Sequence, residues 1–190
     1  MRRVPVAILA GLAFVTGCAS NVRATSDHPE HATAAQTHID VSQPTSYSTI
    51  KELAAHSSAV VEVTALPDPS ETPADQAGTT NIPATITQVS VDRLLWGSVE
   101  GDNTLAIRQI GSPKVEVSNE PLLSPGTKYL VFVSPFEFTP GTPTGQWIIT
   151  NDEGLYSSAD SSYTLLDTDD LGLPGSMTSA QLLSLLPPDS

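Results

Sequence analysis

The chain is poor in cysteine, in basic residues, in aromatic residues and in long apolar runs. Its single cysteine, Cys18, leaves no intramolecular disulfide to form. Eight Lys and Arg stand against 21 Asp and Glu, a net charge of −13, whereas binding of a phosphate backbone needs clustered Lys and Arg. Nucleic-acid binding is therefore excluded. The apolar run over residues 4–15 is also too short for a bilayer-spanning helix, which needs about 20 residues.

The amino-terminal residues have the pattern of an export signal. Two arginines precede the apolar run, and Val15-Thr16-Gly17-Cys18 ends it. A positive start followed by an apolar stretch of this length is typical of a secretory signal peptide. The last four residues resemble the lipobox of bacterial lipoproteins, in which the cysteine thiol receives a diacylglyceryl group and the chain is cut just before it. The resemblance implies a signal peptide over residues 1–17 and lipidation of Cys18.

Two other outcomes compete with lipidation. Ordinary signal peptidase cleavage after Ala19 would release a soluble protein, and an uncleaved segment would be a very short anchor. A lone exported thiol is a liability unless it is chemically used, and lipidation uses it. Two acyl chains anchor a protein stably, whereas one gives only marginal binding. We therefore expect a protein held at the extracytoplasmic face of the cell membrane, with the membrane as its partner through the diacylglyceryl anchor.

Composition divides the rest of the chain into three parts. Residues 18–45, the lipidated cysteine and a polar stretch with no apolar period, are typical of a flexible tether that would hold the domain about 30 Å from its anchor. Sixteen prolines with many Ser and Thr favour strands and loops over a helical bundle in residues 46–168. Residues 169–190 predict an acidic linker and a short C-terminal helix, which either docks on the domain or frays.

Local patterns predict the elements of the folded part. Thr49 and Glu52 have the spacing of a capping box and predict a short helix. The apolar parity changes between Ile86 and Val89, which predicts either a bulge or strong coiling in a long strand. Residues 129–133 are apolar on both faces, which indicates the most buried strand. The predicted strands cover residues 59–65, 84–95, 105–110, 129–133 and 146–150, with short segments near 155–156 and 163–166 and a long polar loop over 66–82.

These elements predict a mainly β domain, a small five- to six-stranded barrel with a short N-terminal helix and a C-terminal helix. Residues 59–63 (Ala-Val-Val-Glu-Val), 89–97 and 122–133 follow one another in a rhythm that resembles the netrin-module and tissue-inhibitor-of-metalloproteinases type of OB-fold. The resemblance spans about residues 48–157 and implies an OB-like barrel. In those inhibitors a free N-terminal cysteine chelates the protease zinc and disulfides clamp it to the barrel. Cys18 has no partner cysteine and is expected near lipid, so that activity does not carry over.

The four histidines do not assemble a recognisable site. His28 and His31 have the spacing of a metal pair, with His38 nearby, but a polar stalk favours solvated side chains. His56 follows the predicted helix, where the helix dipole favours a positive charge. No Gly-x-Ser-x-Gly motif accompanies His56. The histidines therefore predict neither a metal site nor a catalytic centre.

Two acidic patterns have equally plain interpretations. Residues 167–172 (Asp-Thr-Asp-Asp-Leu-Gly) are similar to the start of a calcium loop, but Leu171 and Thr178 stand where the loop needs further ligands. A solvated acidic linker is the better interpretation. Glu116 and Glu120 would act as paired carboxylates only in an apolar pocket that raises a pKa, and they lie in a predicted loop. We therefore predict no catalytic residue, no metal and no cofactor.

Four aromatic residues are candidates for ligand contact: Trp96, Phe136, Phe138 and Trp147. Phe136 and Phe138 alternate with Glu137 at the end of the most buried strand and precede a loop rich in Pro, Gly and Thr. The OB resemblance implies that aromatics at such loop mouths contact ligands. The alternative is a structural role as barrel plugs and edge covers, because aromatics bury a large area in a small core.

These observations favour a membrane-anchored extracytoplasmic lipoprotein whose domain binds an envelope protein or ligand without catalysing a reaction. An envelope hydrolase or a metal-dependent enzyme is the alternative, and modulation of an exported protease through loop contacts is the third. A concave pocket with converging acidic groups would favour the enzyme. A barrel filled with side chains would favour the binding module.

Overall fold

A computed structural model describes residues 37–39, 45–101, 103–118, 121–166 and 172–188. The signal peptide, Cys18, His28, His31, Glu120 and residues 167–171 of the acidic segment lie outside the described residues. Within these described ranges, every helix is too short, or not apolar enough, to cross a bilayer.

The described residues form eleven strands, two helices and one turn of 3-10 helix over Asp152–Gly154. The helices are α1 (Ile50–Ala55) and α2 (Ser179–Leu185). The strands are β1 (Thr37–Ile39), β2 (Ala59–Ala65), β3 (Ser70–Pro73), β4 (Pro83–Gly97), β5 (Thr104–Ile110), β6 (Val115–Val117), β7 (Lys128–Glu137), β8 (Pro143–Ile149), β9 (Leu155–Ala159), β10 (Ser162–Leu165) and β11 (Ser176–Thr178).

Five strands close into a ring. β2 pairs antiparallel with both β4 and β7, β4 pairs antiparallel with β5, and β7 pairs antiparallel with β8. A parallel pairing of β5 with β8 completes the circle. The prediction of a mainly β domain is confirmed. The ring strands are the five long strands that the sequence predicted, although β8 begins at Pro143 rather than Gln146.

One side of every ring strand faces an apolar interior. The interior side chains include Ala59, Val61, Val63, Val89, Leu105, Ile107, Tyr129, Val131, Val133 and Trp147. Because side chains alternate across a strand, the residues between them face outward. Residues 129–133 are all buried. This confirms the prediction for the most buried strand, since β7 has the ring interior on one side and a second core on the other.

The second core covers the outer side of β2 and β7. It joins Val60, Leu130 and Phe132 of the ring to side chains of α1, α2 and the later strands: Tyr47, Ile50, Leu53, Ala54, Tyr156, Tyr163, Met177 and Leu182. Thr49 caps α1, and its side chain accepts a hydrogen bond from the Glu52 N–H at 3.1 Å. The Glu52 carboxylate accepts from Ser48 instead of Thr49, so half of the predicted capping box forms.

The C-terminal helix docks on this second core. Thr178 and Gln181 form a reciprocal capping box at its start. Leu182 is fully buried, whereas the adjacent Leu183 is 52% exposed. β11, just before the helix, pairs with β10 and so joins the sheet. Of the two alternatives for the C-terminal residues, docking is the one observed.

Three short strands lie where the sequence predicted loops or tether. β3 falls in the predicted loop over residues 66–82 and pairs with β4. β6 falls in the loop that follows β5, and it pairs parallel with β1, which belongs to the predicted tether segment. Each is only three or four residues long, too short for an alternating pattern to stand out in the sequence.

Of the two alternatives predicted between Ile86 and Val89, the pairing contradicts the bulge. β4 pairs with β5 without a register shift from Ala84 to Ser90. The shifts occur further along, opposite β2, where Asp92 and Leu95 are passed over in the pairing. The apolar pattern misled because Thr85 and Thr87, both buried, lie on the same side of the strand as Val89.

Candidate functional site

Arg108 is a buried arginine on the outer side of β5. Its neighbour Ile107 faces the ring interior, so alternation along the strand directs Arg108 outward. Only 3% of its surface is exposed nevertheless. Segments from elsewhere in the chain therefore cover a side chain that the strand itself would leave in solvent.

The Arg108 guanidinium joins three parts of the chain. Its Nη2 donates hydrogen bonds to the carbonyl oxygens of Pro73, at 2.6 Å, and Ala74, at 2.9 Å. Its Nη1 donates to Oε1 of Gln146 at 3.2 Å. These bonds hold the β2–β4 connection, which contains β3, against β5 and β8.

Two phenylalanine rings lie over the same guanidinium. The Arg108 Cζ atom is 4.9 Å from the ring centroid of Phe136 and 5.2 Å from that of Phe138. The two rings pack edge to face, with centroids 4.7 Å apart. Phe138 is 37% exposed, so its ring forms the outer surface. We call Arg108, Phe136, Phe138, Gln146 and the carbonyl groups of Pro73 and Ala74 the Arg108 cluster.

The backbone at the β7–β8 connection directs these rings. The pairing of β7 with β8 shifts register between Pro135 and Glu137, at the position of Phe136. Such bulges re-aim side chains. Within the connection, the Glu137 carboxylate accepts a hydrogen bond from the Gly141 N–H at 2.6 Å, and the Thr144 hydroxyl donates to the Phe136 carbonyl at 2.6 Å. The loop is thus held by its own hydrogen bonds while it carries Phe138.

Among the described residues, no carboxylate forms an ion pair with Arg108. The two ion pairs found within the described ranges are Arg93–Glu62 and Lys128–Asp92, and neither includes Arg108. Within the same ranges the Arg108 Nε–H is buried and has no hydrogen-bond partner. Burial lowers the pKa of Arg108, because desolvation disfavours the charged form. An arginine nevertheless stays protonated in a protein. The Arg108 cluster therefore holds a positive charge in a chain whose net charge is −13.

A second feature is a depression of about 530 Å³ formed by residues of β2, β4 and β7 and of the β9–β10 connection, which we call the charged depression. It is lined by Glu62, Val63, Asp92, Arg93, Lys128, Tyr129 and Ser158, Ala159, Asp160 and Ser161. Arg93 pairs with Glu62 at 2.9 Å, and Lys128 pairs with Asp92 at 3.6 Å. Ion pairs as exposed as these contribute about 0.2–1 kcal/mol each.

The carboxylates of the charged depression are engaged with neighbours. Glu62 also accepts a hydrogen bond from the Tyr163 hydroxyl, and Asp92 accepts one from Thr64 at 2.7 Å. Burial raises the pKa of Tyr163, and its hydrogen bond to Glu62 raises it further. These contacts brace the β2, β4 and β10 strands against one another. They form an ion-pair and hydrogen-bond network across these strands.

The structure brings two of the four candidate aromatics together. Phe136 and Phe138 meet in the Arg108 cluster. Trp147 lies in the ring interior and is 8% exposed, and Trp96 lies at the end of β4, half-buried against the second core. The two tryptophans therefore belong to the two cores and are not part of the aromatic pair.

The polar candidates remain apart. His56 ends α1, with Nδ1 3.0 Å from the Glu52 carbonyl oxygen and its ring 5.1 Å from that of Tyr47. His38 Nε2 lies 3.0 Å from the Ser118 hydroxyl, and Glu116 is exposed on β6. Among the residues with described positions, no three His, Cys, Asp or Glu are grouped as ligands for a metal ion.

Sequence reasoning missed Arg108, its partner Gln146 and the role of β3. The available signal was weak, since a single arginine within a strand is normally a solvent-facing residue.

Comparison of the chain with protein-family models, with curated proteins and with solved structures found no match.

Proposed function

We propose that the chain is a lipoprotein, held at the extracytoplasmic face of the cell membrane by a diacylglyceryl group on Cys18. We further propose that its β domain binds an envelope ligand or protein and catalyses no reaction. The anchor rests on Val15-Thr16-Gly17-Cys18, which follows a signal-like apolar run. Because Cys18 is the only cysteine, the proposed lipid uses the one thiol of the chain.

We also propose that the ring is an OB-like barrel. The support is its strand order: the first ring strand, β2, pairs with the second and the fourth, and the third pairs parallel with the fifth. An OB-fold is a five-stranded, partly open Greek-key barrel whose ligands lie on the face of strands 2 and 3, between the loop joining strands 1 and 2 and the loop joining strands 4 and 5. In this chain those loops are the β2–β4 and β7–β8 connections.

The observation that carries the binding proposal is the Arg108 cluster. It lies on β5, the third ring strand, where both of those connections meet. It offers the exposed ring of Phe138 and a buried cation in one place. A binding module is favoured over an enzyme because apolar side chains fill the ring interior. The carboxylates Glu62 and Asp92 of the charged depression are also paired with cations.

Membrane fractionation tests the anchor. Wild-type protein and the Cys18→Ser and Thr16→Ala variants would be expressed in a bacterium that lipidates exported proteins. We expect wild type and Thr16→Ala in the membrane fraction, because Ala is common at that lipobox position. Cys18→Ser should leave the membrane. Full membrane retention of Cys18→Ser would overturn the anchor proposal.

An NMR titration tests the binding surface. A panel of small aromatic compounds, neutral and of both charges, would be added to isotope-labelled protein. We expect the largest shifts in the β7–β8 connection, with little response in a Phe136→Ser variant. The matched control is Leu183→Ser, which removes an exposed apolar side chain from α2. Shifts confined to the charged depression, or none at all, would contradict this surface as the binding site.

A further inference from the structure

We propose that the Arg108 cluster is a receptor for a single carboxylate group carried by a ligand with an aromatic or similarly flat apolar body. The inference rests on the binding function proposed above and names the chemistry of the ligand. Three features support it: the buried charge of Arg108, its remaining N–H donors, and the exposed Phe138 ring that lies over the guanidinium.

The buried positive charge of Arg108 is unmatched by any carboxylate among the described residues. Burying a cation costs several kcal/mol unless it is paired, and buried charges in proteins are normally paired. Arg108 is 3% exposed, and neither ion pair within the described ranges includes it, although the chain has 21 acidic residues. Two carbonyls, one amide and two ring faces surround it instead. These groups stabilise the guanidinium but leave its full positive charge available to an incoming anion.

The unused donors indicate the size of that anion. A guanidinium has five N–H donors. Three are engaged, by the carbonyls of Pro73 and Ala74 and the amide of Gln146. The second proton of Nη1 and the Nε–H remain, on different edges of the planar group, and among the described residues the Nε–H is a buried donor without a partner. A single free donor on the Nε edge suits one oxygen of a carboxylate, whereas a phosphate dianion brings more oxygens and meets stronger repulsion from an acidic surface.

The aromatic cover explains access and the apolar body. Phe138 is the exposed member of the pair, and exposed side chains change rotamer within picoseconds to nanoseconds. Rotation of the Phe138 side chain would remove the outer of the two rings that lie over the guanidinium. Phe136 then offers a ring face or edge to a flat apolar group, an arrangement that stabilises aromatic pairs beyond the burial of their area.

A pair of matched probes tests the inference. The first is 3-phenylpropionate and the second is its neutral amide, 3-phenylpropanamide, which keeps the shape and removes the charge. Binding to the purified full-length protein would be followed by NMR, using the Arg108 Nε–H signal and the amides of the β7–β8 connection. We expect the acid to bind at least about tenfold more tightly than the amide and to shift the Nε–H signal, since hydrogen bonds to charged groups contribute about 1.5–3 kcal/mol.

Variants separate recognition from folding. Arg108→Gln should abolish the preference for the acid, and Arg108→Lys, which keeps the charge without the Nε–H donor, should reduce it. Arg93→Gln is the matched control, because it removes an exposed arginine from the charged depression and should leave the preference intact. Thermal unfolding of each variant identifies any that fail to fold.

The outcomes distinguish this inference from the binding proposal. Equal binding of acid and amide at the cluster would overturn the carboxylate inference while the binding surface stands. Failure of both probes to bind to folded wild-type protein would overturn the inference as well. An acid preference that persists in folded Arg108→Gln would assign the carboxylate to a different residue.

Discussion

Tyr156 and Tyr163 lie in the same apolar core with no exposed surface, but their hydroxyl groups are in opposite situations. The Tyr163 hydroxyl donates to Glu62, lies 3.0 Å from the Ser179 hydroxyl and accepts from Arg93 at 3.3 Å. The Tyr156 hydroxyl is buried and has no hydrogen-bond partner in the part of the chain that the structure describes. One tyrosine thus ties strands together through its hydroxyl, and the other carries an unsatisfied polar atom into the core.

This difference predicts opposite effects of one chemical change. Tyr156→Phe removes an unsatisfied buried hydroxyl and should raise the free energy of unfolding by about 1 kcal/mol. Tyr163→Phe removes the hydroxyl that bonds Glu62 and should lower it by about 1–3 kcal/mol. Urea denaturation measures both. Equal destabilisation by the two substitutions would show that the Tyr156 hydroxyl has a partner in solution.

The tyrosines also predict a loss of stability in alkali. Burial is the largest cause of the raised pKa values of Tyr47, Tyr156 and Tyr163. Glu153 raises the pKa of Tyr47 and Tyr156 further, and Glu62 raises that of Tyr163. In the unfolded chain a tyrosine ionises near pH 10. The stabilisation by the protonated hydroxyls is therefore complete below about pH 10 and is lost as the pH rises above it.

Urea midpoints between about pH 8 and pH 11 test this expectation. The free energy of unfolding should fall above about pH 10 in wild type. The fall should be less steep in Tyr156→Phe, because that variant lacks the most strongly shifted group, and one shifted tyrosine contributes about 1.4 kcal/mol per pH unit in that window. Parallel slopes for the two proteins would contradict the assignment.

Two adjacent leucines of α2 test the docking of the C-terminal helix. Leu182 is fully buried in the second core, and Leu183 is 52% exposed. Leu182→Ala should destabilise the domain by about 2–5 kcal/mol through lost burial and the cavity that remains. Leu183→Ala should change stability by less than about 0.5 kcal/mol. Thermal or urea unfolding that shows equal small effects would mean that α2 is detached in solution.

Arg108 should control the protection of β3. Arg108→Met removes the donors to the Pro73 and Ala74 carbonyls, each a hydrogen bond to a charged group. Since such a bond contributes about 1.5–3 kcal/mol, hydrogen exchange of the β3 amides should speed up at least about tenfold. The ring amides of β2 and β7 should stay protected. Unchanged exchange in β3 would show that the pairing with β4 holds this strand by itself.

The sequence predicts those helices and strands whose own residues carry a recognisable apolar or capping pattern. β7 is recognisable because residues 129–133 are apolar on both faces, and α1 because Thr49 caps a turn that carries Ile50 and Leu53 on one side. β3, β6 and β11 are too short to be recognised, since their existence depends on pairing with other segments of the chain. Their positions require the tertiary structure.

The candidate site divides in the same way. Phe136 and Phe138 were identified because they alternate at the end of a buried strand and precede a loop. Arg108 was not, because alternation alone makes it a solvent-facing residue, and its burial comes from β3 and the two rings. The misplaced bulge has a related cause: Thr87 occupies a buried position that the apolar pattern assigns to a hydrophobic residue.

The central claim is that Cys18, the only cysteine of the chain, carries a lipid. Intact mass spectrometry of protein extracted from membranes tests this most directly. The account predicts a mature chain that begins at Cys18 and carries the added mass of a diacylglyceryl group. A mature chain that begins elsewhere, or one that begins at Cys18 with an unmodified thiol, would contradict it.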